Sequence, residues 1–191
     1  MTVAKVSAVA IGASAGAVQA LLHILPPLPA GLPVPVMIVV HVPPDRDNML
    51  VPLLKKRCAL DVKEAEDKEP LKPGTVYFAP SDYHLLVEKD RTLALSSDEP
   101  VNYSRPAIDV LLESAAEAYG HELAAIVLTG SNHDGAEGLR AVTAAGGIAL
   151  VEDPQSAMSG AMPAAALALC PDARVETLDG ITAFLAGLVS A

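Results

Sequence analysis

The sequence predicts one α/β domain: a single doubly wound, mostly parallel sheet flanked by helices, with an antiparallel hairpin in the middle. Three observations predict it. The strand-like segments are near-continuous runs of Val, Ile, Leu and Ala, as expected of strands covered on both faces. They alternate with segments whose apolar residues fall at helical spacing and end at Gly or Pro. Only the middle breaks the alternation, with short strands separated by turn residues.

Val3–Ile11 is a strand ending at Gly12, and Ala15–Leu25 a helix with Val18, Leu21, Leu22 and Leu25 on one face, stopped by Pro26-Pro27. Val34–His41 is a buried strand, and Asn48–Leu60 a helix with Asn48 as its N-cap. Val62–Ala65, Thr75–Ala79, Tyr83–Glu88 and Thr92–Ser96 are short strands, the last two joined through Lys89-Asp90-Arg91 as a hairpin. Pro106–Tyr119 is a helix with Pro106 in its first turn, closed by Gly120. Leu123–Leu128 is a strand, Gly135–Ala145 a helix, Ile148–Glu152 a strand, and Pro163–Leu169 and Leu178–Val189 the last helices.

Composition narrows the function. At 191 residues the chain is one domain, residues 1–191, large enough for a core without staples. Hydrophobic residues make up 51%, which excludes general disorder. A net charge of −10 without a basic cluster beyond Lys55-Lys56-Arg57 argues against nucleic acid and anionic membrane surfaces. No apolar run approaches the roughly 20 residues of a membrane-spanning helix, so no membrane insertion is expected. There is no secretory signal, and the two cysteines, Cys58 and Cys170, cannot form a disulfide framework; a reducing cytoplasm is the expected compartment.

Gly12-Ala13-Ser14-Ala15-Gly16 joins the first strand to the first helix and fits G-x-S-x-G, a strand–turn–helix elbow that exposes a serine nucleophile. Free backbone N–H groups at the helix start, Ala15 among them, suit a developing oxyanion. The same residues also read as a tight turn with Ser14 as a helix N-cap. His41 ends the second strand, which in a βαβ unit lies beside the first at about 4.8 Å, within reach of Ser14. Asp134 follows the strand Leu123–Leu128 and reads either as the group orienting His41 or as a helix N-cap. His133 is a rival base beside Asp134, His84 a candidate substrate contact from the hairpin, and His23 and His121 structural. Neither His41 with Asp45 nor His133 with Asp134 has a metal-ligand spacing.

With these residues in place the chain resembles the catalytic domain of the chemotaxis protein-glutamate methylesterases, the CheB family. The likeness lies in an ordered set: Ile11-Gly12-Ala13-Ser14, Val40-His41-Val42-Pro43-Pro44, Leu71-Lys72-Pro73-Gly74, Tyr77-Phe78-Ala79-Pro80, Arg105-Pro106-Ala107-Ile108-Asp109, Val127-Leu128-Thr129-Gly130 with Asp134-Gly135-Ala136, and Gly160-Ala161-Met162-Pro163. The resemblance implies a hydrolase with nucleophile Ser14, base His41 and orienting Asp134, acting on glutamyl γ-methyl esters of chemoreceptor cytoplasmic helices and releasing methanol, with glutamine deamidation as a related activity. It implies no cofactor, and a separate receiver or methyltransferase as a further partner.

The departures from the family pattern sit beside the expected chemistry. Ser14-Ala15-Gly16-Ala17 stands where the family commonly has Ser-Thr-Gly-Gly, and Ser131-Asn132-His133-Asp134 where it has Met-Gly-Asn-Asp. Ser131 takes the position whose backbone is associated with the oxyanion. A strand beginning at Val3 leaves no room for a preceding receiver domain, so the expectation is a stand-alone protein or a fragment. The alternative to an esterase is a weakened relative that binds a receptor or signalling partner.

Overall fold

The computed structural model describes residues 5–41 and 49–190. Seven strands form one sheet in which every pairing is parallel: β1 (Ala8–Ala13), β2 (Val36–Val40), β3 (Asp61–Glu64), β4 (Thr75–Phe78), β7 (Leu123–Val127), β8 (Ile148–Glu152) and β9 (Arg174–Glu176). Their order is β3-β4-β2-β1-β7-β8-β9. β5 (His84–Val87) and β6 (Leu93–Ser96) make a separate antiparallel hairpin, so the expected hairpin exists but does not join the sheet.

The helices are α1 (Ala17–Ile24), α2 (Leu50–Lys55), α3 (Ile108–Tyr119), α4 (Ala136–Ala144), α5 (Ala161–Leu169) and α6 (Leu178–Gly187). Strand residues alternate between two cores. Val9, Ile11, Val36 and Ile38 pack with Leu21, Ile24, Leu54 and Ile181 of α1, α2 and α6. Ala8, Ala10, Met37 and Val39 pack with Leu111, Leu139 and Met162 of α3, α4 and α5 and with Leu85 of the hairpin. Since both faces are covered, the central strands are buried throughout, as their unbroken apolar runs require.

Several boundaries differ from the expectations, each for a local reason. The first strand runs through Gly12 to Ala13, and Ala15 and Gly16 form a turn before α1 begins at Ala17. α3 starts at Ile108, after Pro106, with Ala107 as its extended N-cap. α2 is shorter than Asn48–Leu60, and Asn48 lies outside the described residues, as do Val3 and Ala4 of the first strand. β9 was not expected, because Arg174-Val175-Glu176 is a short edge strand with no apolar run to mark it.

The chain leaves β1 in one direction to reach β2, and later crosses to the other side of β1 to lay down β7. The sheet therefore has its topological switch beside β1, and the loops after β1, β2 and β7 meet at one carboxyl edge. Gly12 allows α3 to close over this point: a Cβ there would collide with the Ile108 side chain. Replacing Gly12 with Ala is expected to lower unfolding free energy by about 1–3 kcal/mol in urea titrations. Ile108→Ala in the same background should recover part of that loss, where an unrelated core truncation would only add to it.

Candidate active site

Ser14 follows directly on β1. Its backbone N–H donates to Thr129 O after β7 (2.9 Å), and the Thr129 hydroxyl donates to Ala15 O (2.8 Å), so the turn is clamped to the neighbouring strand's exit. Thr129 is in turn held through its own N–H by the buried Glu152 carboxylate at the end of β8 (2.8 Å). Burial pushes the Glu152 carboxyl up, against the pull of that N–H. Gly16 has φ +87°, and a Cβ there would stand 2.9 Å from the Thr129 hydroxyl, so both the backbone angle and the clamp require glycine. The N-cap of α1 is Gly16, with no side-chain cap; Ser14 does not serve as one, and its hydroxyl is left for other partners.

That partner is His41. Its backbone N–H donates to Ala13 O (3.3 Å), which extends the β1–β2 ladder by one step and turns the imidazole toward the elbow. The Ser14 hydroxyl lies 3.1 Å from His41 Nδ1, and His41 Nε2–H donates to Asp134 Oδ2 at 2.7 Å. One ring therefore bridges the serine and the aspartate. His133 is exposed and does not make this bridge.

Asp134 is fully buried and accepts four hydrogen bonds. Oδ2 takes His41 Nε2–H and the Ile108 N–H (2.6 Å); Oδ1 takes the Asn102 side-chain amide (2.8 Å) and the Asp109 N–H (3.1 Å). The two backbone donors open α3, so the carboxylate sits at a helix N-terminus, where unpaired N–H groups and the helix dipole favour a negative charge. Burial drives its carboxyl upward, but the donors, His41 first among them, outweigh this and hold it below the ordinary carboxylate range. Asp134 is not an N-cap of α4; that position is Gly135.

Asp109 completes an exchange between the two helices. It sits in the first turn of α3, and its Oδ1 accepts the N–H groups of Gly135 (3.0 Å) and Gly138 (2.7 Å), which open α4. Each helix start thus holds an aspartate brought by the other segment. The Asn102 amide donates to both carboxylates, at 2.7 Å to Asp109 and 2.8 Å to Asp134. Burial, followed by the Asp134 charge, raises the Asp109 carboxyl despite its donors. Neither Asp109 nor Asn102 was a candidate from sequence. Asp109 is 25 residues from Asp134, and no spacing rule links them.

The other expected contacts fare differently. Ala15 and Ser131 are exposed beside this edge, and neither backbone N–H has a protein acceptor among the described residues. His84 is not a surface group available to a substrate. It is 2% exposed, its Nε2–H donates to Glu99 O (3.0 Å) and its Nδ1 accepts the Ala107 N–H (3.2 Å). Both ring nitrogens are spent on backbone, and the second of these bonds fixes the residue from which α3 starts. Asp45 lies outside the described residues.

An α/β domain that sets a serine, an imidazole and a buried carboxylate in line at its sheet edge has the layout of a serine hydrolase. The chain belongs to the CheB methylesterase family, whose model matches residues 9–185. It is 47% identical over 160 residues to a putative protein-glutamate methylesterase/protein-glutamine glutaminase of Leptospira interrogans, covering 84% of this chain and 83% of the relative. It is 40% identical to the protein-glutamate methylesterase/protein-glutamine glutaminase of Maricaulis maris over 85% of this chain but only 41% of that longer protein. The crystal structure of the Thermotoga maritima CheB methylesterase catalytic domain superposes with a TM-score of 0.90 at 35% identity, covering 96% of this chain and 99% of that one.

Two outcomes follow from the carboxylate network. Removing its shared donor by Asn102→Ala should lower unfolding free energy by about 1.5–3 kcal/mol, the scale of a hydrogen bond to a charged group. Second, folding lowers the Asp134 carboxyl, so its ionisation contributes stability that is complete above the unfolded carboxylate value and is lost as pH falls through the lower folded value. Asp109, raised, acts with the opposite sign: its ionisation weakens the fold above the raised value, and that penalty vanishes once both states are protonated. The stability gap between wild type and Asp134→Asn should therefore be constant near neutrality and shrink below about pH 4. Denaturant titrations from neutral to acid pH measure it.

Proposed function

We propose that this protein is a protein-glutamate methylesterase that hydrolyses glutamyl γ-methyl esters on chemoreceptor helices and deamidates glutamine by the same route. The observation that carries the reading is the His41 ring, held between the Ser14 hydroxyl and the buried Asp134 carboxylate. Ser14 is the nucleophile, His41 the base and Asp134 the group that orients it.

Asp134 accepts from Nε2–H, which leaves Nδ1 as the unprotonated nitrogen facing the serine. On attack, Ser14 Oγ bonds to the ester carbon while its proton passes to Nδ1, and the carbonyl π pair moves onto oxygen. The imidazolium is stabilised by Asp134, which is kept ionised by its four donors. The N–H groups of Ala15 and Ser131 are the donors for the oxyanion; any non-proline residue supplies one, so the family departures at these positions retain the function. Collapse of the intermediate breaks the C–O bond, Nδ1–H protonates the leaving methoxide, and methanol departs. Water, activated by the neutral imidazole, then attacks the acyl-enzyme; Ser14 recovers its proton, and the glutamate carboxylate and a proton are released. With a glutamine substrate the leaving group is ammonia.

A fluorophosphonate should label Ser14 stoichiometrically, and Ser14→Ala should abolish both labelling and methanol release from methylated receptor while leaving the thermal transition nearly in place. Labelling centred on a different serine would remove the assignment. His41→Gln should reduce turnover at least a thousandfold, the scale seen when a triad member is lost, whereas His133→Gln should leave it within a few-fold. The reverse pattern would make His133 the base.

A further inference from the structure

We propose that Asn132 is a positioning residue that competes with Ser14 for the proton-accepting nitrogen of His41 and so restrains the resting nucleophile; this rests on the reading of Ser14 and His41 given above. The Asn132 side-chain nitrogen lies 3.3 Å from His41 Nδ1, beside the Ser14 hydroxyl at 3.1 Å. The orientation of the amide is set independently. Its Oδ1 accepts the Asp134 N–H at 3.0 Å, an Asx turn, and this leaves Nδ2, a donor only, facing the imidazole.

Nδ1 of the neutral ring offers one lone pair, and two donors now share it. The Ser14–His41 contact is 3.1 Å and the orienting bond to Asp134 2.7 Å, so the serine and the amide stand at comparable distances from Nδ1 while Nε2 is held closely. Asn132 is not needed to select the tautomer, because Asp134 already does so from the other nitrogen. Its net effect is therefore on the reactive side. While its N–H occupies the lone pair, the serine proton is less well accepted; once Nδ1 is protonated, the amide N–H faces another N–H and must turn away.

The test is the rate of Ser14 acylation by a fluorophosphonate in wild type and in Asn132→Ser. Serine retains a side-chain oxygen to accept the Asp134 N–H but is too short to reach the imidazole, so the loop keeps its turn and only the donor is withdrawn. The acylation rate constant should rise about three- to tenfold, the worth of one neutral hydrogen bond, with the concentration for half-saturation unchanged. An unchanged or lower rate constant overturns the proposal, whereas failure to label Ser14 in either protein, with labelling elsewhere, overturns the catalytic assignment instead. A second measurement does not depend on the reagent entering the pocket. In Ser14→Ala the nitrogen-15 resonance of neutral His41 Nδ1 should remain displaced upfield by the Asn132 donor, and it should move downfield in Ser14→Ala/Asn132→Ser. No movement between the two would show that Asn132 does not donate to the base.

Discussion

A single buried carboxylate organises this protein. Asp134 has no exposed surface, and an ion in that position is tolerable only if its lone pairs are filled. Three separate segments fill them: the end of β2 through His41, the turn at Asn102, and the start of α3 through Ile108 and Asp109. The need to satisfy Asp134 thus fixes where α3 begins relative to the loop before α4. His84, by binding the Ala107 N–H, secures the same helix start from the hairpin side. The site is rigid because its most costly group to desolvate is also the most heavily bonded.

The reciprocal arrangement of Asp134 and Asp109 explains how two adjacent carboxylates share so small a volume. Each takes backbone donors from a helix start, and one neutral amide serves both. Their environments nevertheless push them apart, one below and one above the ordinary carboxylate range. The carboxyl that is held lower is the one that faces His41. Asn102 adopts φ +51° to reach both, a backbone geometry that asparagine tolerates better than most residues.

What the sequence made legible was governed by where residues sit on strands. Ser14, His41 and Asp134 could be brought together because each follows a strand with a clear apolar pattern, and parallel topology puts such exits on one edge. The CheB-family motifs pointed to the same three. Asn102 and Asp109 escaped notice because their roles come from tertiary contacts between loops and helix starts, which leave no periodicity. His84 was misplaced for a related reason. A histidine in a short strand looks like a surface group until its neighbours are known, and here both nitrogens turn out to serve backbone. β9 was missed because an edge strand of Arg-Val-Glu carries too little apolar pattern to announce itself.

The sheet order has a consequence for how the chain acquires its chemistry. Ser14 and His41 are 27 residues apart and belong to neighbouring strands joined by one helix, but His41 and Asp134 are separated by 93 residues. The second link exists only after β7 has paired with β1, a closure that joins Ala8 to Leu123. Loop-closure entropy must be met before such a contact returns any stabilisation, which makes long-range parallel pairing slow. Whatever the order of earlier events, a partly folded chain that has gathered only β1 to β4 holds a serine beside an untethered imidazole. The serine–imidazole–carboxylate line is therefore complete only once β7 has docked on β1, and its appearance during refolding reports that closure rather than the earlier pairing of β1 with β2.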